Sequence, residues 1–409
     1  MRIAIDLRPL QIGHQNRGIG AYLLNILARL PEDGGLTYIF IRYDNSNPIK
    51  DYKIKVPGNY EEVLFKNVKF SKKPIEMIRY GLNGLVQDFG KVRKTKPDAF
   101  YQCDYLLGTP NIRGCKNIIV AHDIIPIIFK GLYLPKWSKF IYFRHIRIRS
   151  RVRLVVRSWY YEVKYKKAVA NLKKANLIIS VSNNTKNDLV KVLGIEESRI
   201  KVVYSAASFI DSKDEINNNT RNALETNKEL PTFCYIGATD ARRQIGELIY
   251  GFNLYNARIG PIKLILCGNE FSKGSKEISL DAKNAIERCS YRENLFCLGK
   301  INDSEKKLIL EKSNAFIYPT LYEGFGLPLL EAMASGTDVI SYKNSSITEI
   351  AGDFPTYVNG SGGYEIFLAI KDFIESKTFD NKNELTGQER AALFSWDKCA
   401  KETWSLIYK

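Results

Sequence analysis

The sequence predicts an α/β chain built from two parallel-sheet domains. Three observations lead there. Short apolar runs alternate with helical patterns along most of the chain, which is the pattern of strands joined by crossover helices. A polar stretch, Asp211 to Pro231, interrupts that alternation near the middle. The 409 residues, 45% hydrophobic and 12% aromatic, exceed what one core usually supports.

The elements follow in order. Arg2 to Leu7 reads as a short apolar strand, then a polar loop ends at Arg17-Gly18-Ile19-Gly20, then a helical pattern runs from Ala21 to Leu30. A similar unit recurs at Asn117–Asp123, and again at Leu177–Ser182 followed by a helix from Thr185 to Leu193. Asp211 to Pro231 is rich in Asp, Glu, Asn, Lys and Thr, has no apolar period, and reads as a linker or exposed excursion. The expected domains are therefore 1–210 and 211–391, with a closing helix over 392–409.

The second half is more regular. Strands are expected at Phe233–Ile236, Lys263–Cys267, Asn294–Leu298, Ala315–Tyr318 and Val339–Tyr342, and helices at Gln244–Tyr255, Ser304–Lys312 and Leu327–Ala334. Short connections of this kind favour parallel pairing with right-handed crossovers, and such sheets bind ligands beyond the C-terminal ends of their strands.

Composition excludes several classes. No stretch approaches 18 uninterrupted apolar residues, and Asp6 and Arg8 stand where a signal peptide needs its apolar centre, so a cytoplasmic chain is expected. The seven cysteines include no C-x-x-C pair and the three histidines show no ligand spacing, so no metal site is expected. A net charge of +17 calls for a polyanionic partner or surface. Nucleic acid is not the expected one, because the basic runs contain no reading motif such as an RNP aromatic pair or a GXXG loop.

The richest segment is Thr320-Leu-Tyr-Glu-Gly-Phe-Gly-Leu-Pro-Leu-Leu-Glu-Ala-Met-Ala-Ser-Gly336. Gly324 and Gly326 permit tight backbone geometry, Pro328 suits a first helical turn and Gly336 a helix stop, so amides at the helix start can face an anion. Glu323 lies just before the loop and Glu331 about one turn inside the helix, so two carboxylates can project toward one crevice. A carboxylate accepts two hydrogen bonds, which matches the vicinal hydroxyls of a ribose or hexose. Two glutamates that merely cap and solvate a surface helix are the competing reading.

The string resembles the E-x7-E signature of family 4 retaining glycosyltransferases, close to E-G-F-G-L-P-x-x-E-A-M-A-x-G, and every fixed position is present. The resemblance implies a GT-B fold, in which two Rossmann-like domains face each other across a cleft and a C-terminal helix crosses back to the first. It implies that Glu323 contacts the donor sugar, that Glu331 holds the ribose diol, and that the amides of Gly324, Phe325 and Gly326 touch sugar and phosphate. Cys234-Tyr-Ile-Gly237 followed by Arg242-Arg243-Gln244 resembles the family's strand, glycine and R-K-N stretch, whose basic pair neutralises the donor diphosphate; Arg243 stands where Lys is usual. Leu264–Gly268 and Leu298-Gly299-Lys300-Ile301 resemble strand ends lining the nucleobase pocket. His122-Asp123-Ile-Ile-Pro126 resembles the H-D-x-x-P segment, whose His sits over the donor sugar. Arg17-Gly18-Ile19-Gly20 resembles the R-G-I-G-R-Y loop, whose backbone approaches the diphosphate. Phe394-Ser-Trp396 to Tyr408 resembles the closing helix.

The expected activity is thus transfer of a sugar, with retention, from a nucleotide-diphosphate donor to a glycan or lipid-linked acceptor, in cell-surface polysaccharide synthesis. No D-x-D sequence is present to chelate a metal, so leaving-group charge falls to Arg242, Arg243 and helix-start amides, and no cofactor is expected. The family's retention is usually explained by front-face attack without an enzymic nucleophile. The alternative is a non-catalytic sugar-nucleotide-binding subunit; loss of Glu323, His122 or the basic pair would favour it, and none is lost. The chain departs from the family pattern at Asp338, Thr348 and Ser205-Ala-Ala-Ser208, which bears on the hinge and the acceptor side.

One further run stands out, Arg144 to Trp159. Laid out at 3.6 residues per turn, Ile148, Val152, Val155, Val156 and Trp159 gather on one face, with Arg144, Arg147 and Arg151 on one flank and Arg149, Arg153 and Arg157 on the other. An interfacial helix on an anionic membrane needs such a strip, which would place the protein on the inner face of the plasma membrane. A surface helix packed on its own domain, or a strand, satisfies the same pattern.

Overall fold

The computed structural model describes residues 1–12, 18–32, 34–44, 49–52, 54–66, 87–133, 148–208, 214–376 and 385–408. The chain forms two units, Met1–Ser205 with Trp396–Lys409, and Ala206–Ser395.

The first unit holds a parallel sheet of strands β1 (Arg2–Asp6), β2 (Thr37–Tyr43), β3 (Tyr60–Phe65), β4 (Ala99–Gln102), β5 (Lys116–Ala121), β6 (Leu177–Ser180) and β7 (Ile200–Val202), in the order β3-β2-β1-β4-β5-β6-β7. β1, β4 and β6 are buried along nearly their whole length because helices cover both faces of a parallel sheet, whereas edge strand β3 leaves Tyr60, Glu61 and Leu64 exposed. Helix α1 (Gly18–Leu27) buries Tyr22, Leu23, Ile26 and Leu27. It begins three residues earlier than its apolar period suggests, so Gly18 and Gly20 lie in its first turn and not in the preceding loop. The arginine-rich run resolves as a helix: α2 spans Ile148–Lys173 and packs Tyr165, Ala168 and Leu172 into a cluster with Ile119, Ala121 and Ile178. Helix α3 (Asn183–Leu193) is capped by the Ser182 hydroxyl, which accepts from the Thr185 amide at 3.0 Å, and is stopped by left-handed Gly194.

The second unit holds β8 (Thr232–Ile236), β9 (Lys263–Cys267), β10 (Leu295–Gly299), β11 (Ala315–Tyr318), β12 (Asp338–Tyr342) and β13 (Thr356–Val358), ordered β10-β9-β8-β11-β12-β13 and parallel. Around them lie α4 (Asn218–Glu225), α5 (Ile245–Arg258), α6 (Leu280–Glu287), α7 (Asp303–Lys312), α8 (Leu327–Ala334), α9 (Ser345–Ala351), α10 (Gly363–Ser376) and α11 (Gly387–Ala392).

Helix α4 corrects the expectation of an unstructured excursion over Asp211–Pro231. It lacks an apolar period because polar groups hold it. The Asn217 side chain caps it through the Thr220 amide at 2.8 Å, and buried Glu305 of α7 accepts from the Asn217 amide at 3.0 Å and the Thr220 hydroxyl at 2.8 Å. The Lys263 ammonium closes the other end on the Leu224 and Thr226 carbonyls, 3.0 and 2.9 Å away.

Helix α12 (Trp396–Tyr408) belongs to the first unit, where it buries Trp396, Trp404 and Ile407. Trp396 meets Tyr22 edge-on at 5.8 Å, and Trp404 lies 6.3 Å from Tyr38 and 6.0 Å from Tyr101. No described helix is long and apolar enough to cross a membrane.

Both sheets reverse strand order at their centre, β1 against β4 and β8 against β11, where doubly wound sheets open a crevice at the strands' C-terminal ends. At that position of the first unit, Asp6 and Arg8 form a buried bidentate pair with nitrogen–oxygen distances of 2.8 and 2.7 Å, and the guanidinium lies 4.7 Å from the centre of the Phe65 ring. Replacing Arg8 with Met leaves the Asp6 carboxylate buried without its partner. The expected cost is about 3–5 kcal/mol, read as a shift of the urea unfolding transition at unchanged slope.

Candidate functional site

The crevice at the switch point of the second unit is built from the ends of β8 and β11. Beyond β8, Gly237 to Asp240 lead into a tight turn, Ala241–Arg243, and left-handed Gln244 (φ 50°) redirects the chain into α5. The Glu270 carboxylate pins this loop, accepting from the Thr239 amide at 2.6 Å and its hydroxyl at 2.5 Å. Beyond β11, Thr320 to Gly326 form the loop before α8. The two loops are tied by the Leu321 amide, which donates to the Arg242 carbonyl at 2.8 Å.

Glu323 is the centre of the arrangement. Its Oε1 receives the Arg242 and Arg243 guanidiniums, each at 2.5 Å, and the Thr320 hydroxyl at 2.8 Å. Its Oε2 accepts from no described residue. The carboxylate is 7% exposed. Burial alone would push this carboxyl up, but the Arg243 and Arg242 guanidiniums outweigh it and hold it below the usual glutamate range. Arg243 is itself buried, its guanidinium stacked 4.9 Å from the centre of the Tyr318 ring and bonded to that hydroxyl. Arg242 also lies 3.3 Å from Asp240. The basic pair is thus charge-balanced within the protein rather than exposed at a helix start.

The Gly324–Gly326 loop is oriented by one hydroxyl. Ser346 Oγ donates to the Glu323 and Phe325 carbonyls at 3.0 and 3.1 Å. In a trans peptide the C=O and the following N–H point oppositely, so the amides of Gly324 and Gly326 project away from α9. Gly326 sits at φ 100°, and an added Cβ would lie 3.2 Å from Ile347, so glycine is required there. The Phe325 ring is core: it is 6% exposed and packs edge-on against Phe394 at 5.8 Å.

Glu331, on α8, occupies a separate environment. Its Oε1 meets the Lys306 ammonium of α7 at 3.1 Å. Burial pushes this carboxyl above the usual range, and Lys306 offsets that only in part. Gly237, Gly268 and Gly299 stand at the ends of three adjacent strands, with the Gly237 amide on the Cys267 carbonyl (2.9 Å) and the Gly268 amide on the Gly299 carbonyl (2.8 Å). At Gly268 (φ 153°) a Cβ would fall 2.1 Å from the Gly237 carbonyl oxygen, so only glycine fits. Ile301, partly buried, lies just past Gly299.

The structure therefore gathers Glu323, Arg242 and Arg243 into one cluster, with Glu331, Gly268 and Ile301 placed around the same sheet edge. In the first unit, the His122 ring stands edge-on to Tyr22 of α1 at 5.1 Å, which brings it to the helix that begins at Gly18 and Gly20. Arg144 and Arg147 lie outside the described residues; Arg149, Arg151, Arg153 and Arg157 are on α2, where Trp159 is exposed. Sequence reasoning missed Lys306, Thr320, Tyr318 and Ser346. Thr320 and Tyr318 adjoin the motif, whereas nothing local marks Lys306, one more cation on a polar helix.

Residues 216–365, which span this crevice, match the family described as glycosyl transferases group 1. Over those residues the chain is similar to group 1 glycosyltransferases. Relatives of the chain include the O-antigen chain mannosyltransferase B of Escherichia coli, 25% identical over 57% of the chain and 60% of that protein. Another is the O-antigen chain mannosyltransferase RfbU of Salmonella typhimurium, 22% identical over 66% of the chain and 67% of its own length. The chain thus spans three-fifths to two-thirds of the length of these two relatives. Among solved structures, HepE of Anabaena, crystallised with UDP and glucose, superposes over the whole of both chains with a TM-score of 0.66 at 15% identity. The fold is GT-B.

The two glutamates should respond oppositely to neutralisation. Glu323 is depressed, so its ionisation stabilises the fold above the unfolded carboxyl value, roughly pH 4.3, and that contribution is lost as pH falls through the lower folded value. Glu331 is raised, so its contribution is present below roughly pH 4.3 and lost as pH rises through the folded value. At pH 7, Glu323→Gln is expected to lower the melting temperature and Glu331→Gln to raise it. Calorimetric melts of both variants check the signs.

Proposed function

We propose that this protein transfers a sugar, with retention, from a nucleotide-diphosphate donor to a glycan or lipid-linked acceptor in the synthesis of a cell-surface polysaccharide. The observation that carries this reading is the pair Glu323 and Glu331 at the switch-point crevice, one with an oxygen left over from its arginines and the other with a single lysine. Glu323 Oε2 accepts a hydroxyl of the transferred sugar, and Glu331 accepts the ribose diol. Arg242, Arg243 and the amides of Gly324 and Gly326 meet the charge that grows on the departing diphosphate, so no metal is required. The acceptor hydroxyl attacks on the face the nucleotide leaves, without an enzymic nucleophile: its oxygen bonds to the sugar's anomeric carbon as the bond to the diphosphate breaks, and its proton passes to the departing diphosphate. The O-antigen mannosyltransferase relatives support a nucleotide-diphosphate mannose as the first donor to try, and the neighbour crystallised with UDP-glucose supports UDP-glucose as the second.

Glu331→Ala is expected to weaken donor binding by roughly 10- to 150-fold, the loss of a charged hydrogen-bonding group worth about 1.5–3 kcal/mol, while the protein still melts cooperatively. Donor turnover by the unaltered protein is expected to persist in EDTA. Unchanged affinity in calorimetry, or activity abolished by EDTA and restored by magnesium or manganese, would overturn the assignment.

The acceptor reading extends to a membrane. Trp159, Tyr161 and Val163 are exposed on α2, next to the segment that carries Arg149, Arg151, Arg153 and Arg157. Each cation near an anionic leaflet adds about 1 kcal/mol. The protein is expected to sediment with phosphatidylserine vesicles and not with phosphatidylcholine ones, and a variant with Arg149, Arg151 and Arg153 changed to Glu to remain in the supernatant. Equal behaviour of the two proteins would remove the membrane from the account.

A further inference from the structure

Neither the E-x7-E motif nor its loop accounts for Lys306. Its ammonium lies 3.1 Å from Glu331 Oε1, 3.3 Å from Asp303 and 3.5 Å from the Ser208 carbonyl. It stands in the first turn of α7, where a cation opposes the helix dipole, so helix stability does not explain it. The base it projects from is fixed. Asn302 and Glu305 form a reciprocal cap at the helix start, and the same Glu305 is bonded to Asn217 and Thr220.

Lys306 occupies one acceptor direction of the Glu331 carboxylate, and among the described residues Oε2 accepts no hydrogen bond. A carboxylate offers about four acceptor directions when ionised and becomes a donor when protonated, so only the ionised form can take both hydroxyls of a diol. We propose that Lys306 is a positioning residue for Glu331, holding Oε1 so that the remaining lone pairs meet a vicinal diol on the donor nucleotide. This rests on the donor-site reading above. The charges acting on Glu331 are Lys306 and Asp303, both on α7. On α11, which also packs against α8, Arg390 is held by the Glu349 and Ile350 carbonyls and Glu389 by the cap at Thr386. Lys306 is thus the one described cation that favours the ionised form of this carboxyl against its burial.

The test is calorimetric titration of UDP and of GDP from pH 5 to pH 8 into the full chain and its Lys306→Met, Lys306→Arg and Glu331→Gln variants. Lys306→Met is expected to move the acid limb of nucleotide affinity to higher pH, leaving a larger deficit at the acid end of the range than at pH 8. Lys306→Arg is expected to restore the limb. Glu331→Gln is expected to bind more weakly throughout and to report the titration of the nucleotide phosphate alone. Lys306→Gln gives the same reading should Lys306→Met not fold. A limb unmoved in Lys306→Met, whether affinity is unchanged or uniformly reduced, overturns the proposal while a weakened Glu331→Gln leaves the donor site standing. Glu331→Gln binding like the parent, or a parent that binds neither nucleotide, overturns the donor site and the proposal with it.

Discussion

A single carboxylate oxygen organises the second unit. Glu323 Oε1 pairs with two guanidiniums and accepts from a hydroxyl, groups that arise from two different loops, one leaving β8 and the other leaving β11. Three charged groups in so small a volume are tolerable only because each is paired, since an isolated buried ion costs several kcal/mol. Removing Glu323 leaves two buried guanidiniums, only one of which has Asp240 beside it. The knot fixes the Thr320–Glu323 stretch and the orientation of the second oxygen, and the Ser346 hydroxyl, on the Glu323 and Phe325 carbonyls, sets the amides that follow.

The two glutamates of the motif are treated differently by the fold. Glu323 is held ionised by arginines, a cation type that does not release its proton in proteins. Glu331 is held by a lysine against a burial penalty that the lysine does not fully cancel. A group kept charged at some expense to stability is characteristic of a place where a ligand supplies the missing interactions.

Much of this was legible in the residues. Three elements of the second unit, Lys263–Cys267, Ala315–Tyr318 and Leu327–Ala334, coincide with their expected bounds, because short apolar runs between glycine and proline signals leave little freedom of register. The first unit was harder. β2, β3 and β4 were not singled out, since their aromatic and charged residues blur the apolar pattern, and the start of α1 at Gly18 is hidden by glycines that carry no period. The carboxylates and the basic pair were visible from the motif, but the pairing of the arginines with Glu323 was not. That pairing joins residues about eighty positions apart and depends on β8 and β11 being neighbours. Lys306 was invisible for the same reason: its partner is 25 residues away on another helix.

The assignment of α12 to the first unit has a consequence for biosynthesis. The second unit is contiguous in sequence, from Ala206 to Ser395, whereas the first is interrupted by it and resumes only at Trp396. On the ribosome the inserted unit can close its core before the earlier-synthesised one is complete. Until Trp396, Trp404 and Ile407 emerge, the side chains of Tyr22, Tyr38 and Tyr101 lack the helix that covers them. The nascent chain therefore carries an open aromatic groove through the whole synthesis of its second half, and truncation or slow termination near the end exposes the first unit, not the second, to aggregation and chaperone capture.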